Sequence, residues 1–407
     1  MLSRGNAKGL TICFAVLLLD ALDTTSIAFV APVLAHEWNV PASAFTTVFV
    51  ATSLGAVVGY VVCGPLVQSY GQRMIGIGCV ALFGLSTLAM TAAWDIASLS
   101  VLRFVAAIGL GGAVPIAIVA ATDLVAARHK ETVTMLVASG LSAGAVTGGL
   151  IGGPLIRAVG WEPIFVLGGV LPLLIAPFFM RILRPAAAPA DPFGADESSH
   201  KLLAQLFSGG LAGCTALIWL FSFLIFVVTH ALIFWTPTLL LELGIERSQA
   251  PLGTAAFGLG GLFGNLAILL LVAAMGIVRL LSLTTGLIIV CVLAISHLDL
   301  PWFAVLALVA GLGAGAITGC IGEAALAVSI YPRRLRATGV GCATAIGRVG
   351  SIFGPAAAGL LLSFGWPGRD VFLFALIPSA LALLVLVWLR IKLRRLPIRP
   401  ERLASPA

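Results

Sequence analysis

An all-α membrane protein of twelve transmembrane helices, arranged as two six-helix pseudo-repeats, is the fold this sequence predicts. Three observations carry the prediction. Of the 407 residues, 60% are hydrophobic and only 10% are charged, whereas a soluble domain needs roughly 25% charged residues to solvate its surface. The mean hydropathy is +1.14, and a spanning helix takes about 20 apolar residues, so the length leaves room for about a dozen spans. Finally, the basic residues are sorted to one side of those spans, and one long polar stretch divides them into two sets of six.

The apolar runs lie at 10–34, 43–67, 74–93, 97–124, 134–156, 163–182, 213–236, 250–275, 279–297, 301–330, 337–363 and 370–391. Arg4 and Lys8 precede the first run as they would in a signal peptide. However, Asp20 interrupts the run and apolar sequence continues to Leu34, so it is expected to be a retained span. With both termini placed in the cytoplasm, 18 of the 23 Lys and Arg residues fall inside, three outside and two within the membrane. Positive charge retained on the cytoplasmic side is the usual topology signal. The net charge of +7 therefore reports orientation in a bacterial inner membrane, and nucleic acid is not an expected partner. Trp161, Trp235, Trp302 and Trp366 fall near outer helix ends, where interfacial aromatic belts are expected.

The long polar stretch runs from Arg184 to Lys201 and is rich in Pro, Ala, Ser and acidic residues, as suits a flexible cytoplasmic linker. The expected organisation is an N-terminal bundle over 1–183, a linker over 184–212, and a C-terminal bundle with a basic tail over 213–407. An internal echo supports it. GLGGA at 109–113 returns as GLGAG at 311–315, and GGP at 152–154 as FGP at 353–355. Parallel six-helix repeats are a known way of building transporters, with the site between the halves. Gly140, Gly144, Gly148 and Gly152 step by four, as do Gly311, Gly315 and Gly319. Such stripes let helices pack closely, and they could also mark the helices that rock during transport.

Ionisable groups in the hydrocarbon cost about 2.5–3.5 kcal/mol each on insertion scales, so they usually serve a function. Asp20, Asp23, Arg103, Glu323 and Arg348 lie well inside spans, with Asp123 near an inner helix end. At about 1.5 Å rise per residue, Asp23 and Arg103 reach the same depth, and Arg348 is also mid-membrane. Asp20 and Asp23 are three residues apart and share a helix face with Thr24. Two carboxylates so close in a poor dielectric cannot both ionise easily, so one is expected to hold a proton. Approach and withdrawal of Arg103 would then release and load it. The alternative is a permanent Asp–Arg bridge that only joins helices. Arg348 has no acid in its own helix and is the candidate anchor for a substrate anion. Glu323 and His230 are further candidates for the substrate site, although His230 also reads as a hydrogen-bonded packing residue.

Other chemistry is excluded. The seven cysteines form no CxxC pair and mostly sit in apolar runs, and the histidines show no metal-ligand spacing. No P-loop, nucleophile elbow, HExxH or dinucleotide fingerprint occurs, so neither an enzyme nor a cofactor is expected.

The first span, DALDTTSIAFVAPVLAHEW over 20–38, resembles the signature of the aromatic acid/proton symporters of the major facilitator superfamily. Asp20, Asp23, Pro32, Glu37 and Trp38 match, and Ala21 replaces a Gly. RFVAAIGLGGAVP over 103–115 is similar to the fourth-helix motif whose Arg takes part in proton coupling. WTPTLL at 235–240 and the YPRRLRATGVG and IGRVGSIFGP segments within 331–355 also match. The resemblance implies a monomeric carrier of small organic anions and protons. It implies a proton-coupling set of Asp20, Asp23 and Arg103. It also implies a cytoplasmic gate built from Gly64, Gly71, Arg73, Asp123, Arg333 and Arg336. Departures concentrate in that gate. Gln68, Ser69 and Gln72 replace charges, LLVAAMGIVR over 270–279 lacks the usual Asp, and Asp123 stands for a Glu. Gating is thus expected to lean on other contacts.

A drug/proton antiporter of the same fold is the alternative, although its helix-5 motif is only partly present in GGLIGGPLI. A membrane-embedded sensor lacks any signalling domain here. Moving an anion into a negative interior costs about 2.3 kcal/mol per 100 mV, so concentrative uptake requires protons. One proton per monoanion is expected, with Glu323 the candidate second site.

Overall fold

The computed structural model describes residues 4–126, 129–184, 203–208 and 211–395. Its helices are α1 (Arg4–Glu37), α2 (Thr46–Tyr70), α3 (Gln72–Ala89), α4 (Ile96–Asp123), α5 (Lys130–Val159) and α6 (Glu162–Ile182). They continue as α7 (Ala212–Glu242), α8 (Ala250–Met275), α9 (Ile277–His297), α10 (Trp302–Ile330) and α11 (Arg336–Ser363), then α12 (Gly368–Phe374) and α13 (Leu376–Arg395). Together they give twelve helices long and apolar enough to cross a membrane among the described residues. The last span is broken at Ala375, which the hydropathy pattern did not show. Pro378 has no N–H to offer the Phe374 carbonyl, so the helix restarts there.

Local chemistry sets the turns. Gly71 and Gly276 each close a one-residue connection, α2 to α3 and α8 to α9, with φ of +84° and +76°. Each returns its N–H four residues back, to Val67 and Val272, in a left-handed position that only glycine takes without strain. α4 begins with a capping box in which the Asp95 carboxylate accepts from the Ser98 amide at 2.7 Å. The Ser98 hydroxyl and amide hold that carboxyl below its ordinary value.

Glycine lets the helices approach. A Cβ at Gly140 or Gly144 would collide with the backbone of α1 at Phe14 and Leu18, so that stripe packs α5 onto α1. The glycines on its other side, Gly149 and Gly153, meet α8 and the turn before it, at Pro251 and Ser248. The stripe that the sequence pattern picked out is therefore not the face that meets the second set of helices. Gly315 and Gly319 pack against α9 and α7 in the same way.

Three further readings change. Trp235 is 1% exposed and donates to the Pro355 carbonyl at 3.0 Å, so it joins α7 to α11 and is no part of an interfacial belt. Trp161 is also buried, donating to the Glu37 carboxylate at 2.8 Å, while Trp302 and Trp366 do lie exposed at helix ends. This contact also accounts for Glu37 in the first-span signature, because it ties the far end of α1 to the start of α6. The linker is not free along its whole length. Leu206 is fully buried and its carbonyl accepts from Thr215 at 2.7 Å, whereas 185–202 lie outside the described residues.

Candidate functional site

A cavity of about 430 Å³ lies between the helices at mid-depth, with walls from α1, α2, α4, α5, α7, α8, α10 and α11. Ligand pockets commonly run about 300–1,000 Å³. One end is sealed. Phe49 stacks on Phe234 and meets the edge of Trp235, both at 4.9 Å, and Thr46 of α2 lies against Gly359 of α11. Toward the opposite end, which carries both termini, neither helix has a close neighbour at its glycine. A Cβ at Gly64 of α2 or Gly341 of α11 would meet nothing within 4 Å.

Arg348 crosses the cavity from α11. Its guanidinium lies 4.1 Å from the centre of the Tyr60 ring and 5.6 Å from that of Phe226, and Nη2 donates to the Tyr60 hydroxyl at 2.8 Å. Both rings lie within cation–π distance of the guanidinium. Among the described residues its Nε–H is buried without a partner. An unmatched buried donor is costly, so the arrangement suits an anion that arrives with its own acceptors.

The two first-span acids turn out to have different surroundings. Asp23 is fully buried, with Oδ2 2.9 Å from Arg103 Nη1 and Oδ1 accepting from Thr87 at 2.8 Å. Arg103 in turn donates through Nε to Thr52 at 3.3 Å, and its Nη2 has no partner among the described residues. Asp20 instead lines the cavity and makes no hydrogen bond among the described residues. The expectation of one shared face is thus replaced by a buried, bridged acid and a cavity-facing one.

Glu323 lines the cavity from α10. Its Oε2 lies 2.8 Å from Ser222 Oγ of α7, and its Oε1 accepts from Thr344 of α11 at 2.6 Å. His230 also lines it, stacked on Phe226 at 5.6 Å. Its Nδ1 lies 3.1 Å from the Phe226 carbonyl. A carbonyl only accepts, so that bond puts a proton on Nδ1, and the other ring nitrogen accepts when the ring is neutral.

The expected gate residues are spread over the terminal ends of the helices. Asp123 pairs with Arg184 at 3.4 Å, an exposed contact worth little in itself. Gln72, standing where a charge is usual, accepts from the Arg184 amide at 3.4 Å, and Arg336 donates to the Tyr331 carbonyl at 3.1 Å. Arg73 forms no ion pair among the described residues, and the side chain of Arg333 lies outside them. Sequence reasoning missed Tyr60, Thr87, Ser222 and Thr344, which bond three of the central charges, Arg348, Asp23 and Glu323. Tyr60 alone carried a signal, being one of only three tyrosines and placed inside an apolar run.

Comparison with known proteins gives this site a context. The Major Facilitator Superfamily model matches residues 13–323. The 4-hydroxybenzoate transporter PcaK of Pseudomonas putida is 30% identical, over 94% of this chain and 92% of its own length. The 3-(3-hydroxy-phenyl)propionate transporter of Escherichia coli strain K12 is 35% identical, over 87% and 86%. Among solved structures, a D-xylose-proton symporter superposes with a TM-score of 0.76 at 15% identity, covering 94% of this chain and 96% of that one. A multi-pass helical chain, a central cavity with an anchored guanidinium, and relatives that are transporters converge on one conclusion: the chain belongs to the major facilitator superfamily and is a transporter homologous to aromatic acid transporters.

Proposed function

We propose that the protein takes up a small aromatic carboxylate together with protons across a bacterial inner membrane, by alternating access between its two six-helix halves. The observation that carries this reading is Arg348, a guanidinium within cation–π distance of Tyr60 and Phe226 in a ring-lined cavity, with its Nε–H unpartnered among the described residues. A carboxylate takes up the free donors, while the aromatic walls take a flat ring. Asp20 and the Asp23–Arg103 pair supply a route for the proton, and Asn or Gln there would not.

With the termini cytoplasmic, the sealed end is the outer one and the cavity faces inward. Asp23 is then held by Arg103, the arrangement expected after proton release. Reloading requires Arg103 to withdraw in the outward-facing state. The relatives named for hydroxylated aromatic acids favour this reading over drug export. In liposomes, an inward proton gradient is expected to drive accumulation of 4-hydroxybenzoate or 3-(3-hydroxyphenyl)propionate. Uptake that ignores both the proton gradient and the membrane potential would reject symport.

The orientation has its own test. A cysteine placed at Asn39 or Pro301, in a background without native cysteines, is expected to react with an impermeant thiol reagent added outside. One placed at Ser198 is expected to stay unlabelled until the membrane is opened. The reverse pattern would turn the topology over.

A further inference from the structure

Glu323 is held differently from every other charge in the cavity. Among the described residues, no cation bonds it. Its Oε1 accepts from Thr344, and its Oε2 lies 2.8 Å from Ser222 Oγ. Ser222 Oγ is also 2.9 Å from the Ile218 carbonyl, one turn back in α7. A serine hydroxyl has one proton to give and two lone pairs to accept with. It cannot donate to both oxygens. Either Ser222 donates to an ionised Glu323, or it donates to Ile218 and accepts a proton-bearing Oε2–H from a neutral Glu323. Both arrangements fit the same heavy-atom positions, and both leave each Glu323 oxygen with one bond. The Ile218 carbonyl tolerates either one, since it lies inside α7, where it also accepts an intrahelical bond.

We propose that Glu323 is a second proton-carrying carboxyl of the carrier, with Ser222 exchanging donor and acceptor roles as the proton comes and goes. The contrast with Asp23 is chemical. Arg103 has only donors to offer, so Asp23 cannot hold a proton on Oδ2 without breaking the bridge. Glu323 takes or releases a proton with no helix moving. Thr344 and Glu323 both line the cavity, so the proton has a path from water in the cavity to the carboxyl. The charged and titratable neighbours that face it are Arg348 one turn along α11, Asp20 on α1, Tyr60 on α2, His230 on α7, and Cys320 on its own helix. With one proton on the first-span acids and one on Glu323, a monoanion enters with net positive charge. The membrane potential then adds to the driving force, and the expectation of a single proton gives way to two.

This rests on the proton-coupled reading above, and the test separates the two. Infrared difference spectra of the whole chain in lipid, titrated without substrate, are expected to show a protonated-carboxyl band that disappears as pH rises. The band should be missing from Glu323→Gln, remain in Asp20→Asn, and change frequency in Ser222→Ala, which removes the partner. Should Glu323→Gln fail to fold, a frequency change of the wild-type band in Ser222→Ala and Thr344→Val assigns it equally well. A spectrum with no band of this origin, or with one that persists unchanged at every pH, overturns the proposal. Symport can fail while the band titrates as described, because the titration needs no transport. In liposomes where a proton gradient drives uptake, an inside-negative potential is expected to raise it several-fold. A rate indifferent to potential overturns the second translocated proton and leaves symport standing.

Discussion

Asp23→Asn is expected to abolish concentrative uptake while the protein still reaches the membrane. The amide oxygen can still accept from Arg103 while its NH2 donates to the Thr87 hydroxyl, so part of the local hydrogen bonding survives. What it cannot do is cycle a proton. Without that cycle, binding of the acid no longer draws on the pH gradient, and accumulation should fall by two orders of magnitude or more. Asp20→Asn is expected to be severe as well, since it removes the carboxyl that faces the cavity.

A permanent bridge that merely joins α1 to α4 would also make Asp23 sensitive to mutation, and the geometry says how to tell the cases apart. Removing one partner of a buried ion pair strands the other charge at a cost of about 3–5 kcal/mol. Asp23→Asn alone should therefore lower thermal stability. Asp23→Asn combined with Arg103→Gln removes both charges, and a neutral pair of similar volume is often no less stable than the ions. The double variant is expected to regain the melting temperature and remain unable to concentrate substrate. If it recovers accumulation along with stability, the pair is structural only.

The fold was largely legible because lipid imposes a simple rule. Each span needs a long apolar run, and each interior charge is then conspicuous. Asp23 and Arg103 could be matched by depth alone, since a straight helix converts residue number into height. Facing was harder. Asp20 and Asp23 share a face by spacing, yet one turns into the cavity and the other into the packing of α1, α3 and α4. The difference is set by where Arg103 and Thr87 arrive from other helices, which no local pattern encodes. The same holds for Tyr60 beneath Arg348, almost three hundred residues away in the chain. Trp235 read as an interfacial residue because it sits near a helix end, and only the approach of α11 places Pro355 within reach of its indole N–H.

Arg348→Lys is expected to weaken binding of the aromatic acid with little loss of protein in the membrane. Lysine keeps the charge but lacks the planar fork, and it cannot stay beside Tyr60 and Phe226 while donating from two nitrogens. A hydrogen bond to a charged group is worth about 1.5–3 kcal/mol, and each 1.4 kcal/mol is tenfold in affinity. Loss of one such bond in Arg348→Lys should raise the dissociation constant about ten- to a hundredfold. Arg348→Ala should bind more weakly still. Tyr60→Phe offers a finer reading. It removes the hydroxyl that accepts from Nη2 but keeps the ring under the guanidinium, so its effect should be smaller than that of either Arg348 variant. The measurement is equilibrium binding of 4-hydroxybenzoate in detergent, with melting temperature as the control for folding. Unchanged binding by a folded Arg348→Ala would remove Arg348 as the anchor and shift the role to Arg103, whose Nη2 is the other unpartnered buried donor on a central guanidinium among the described residues.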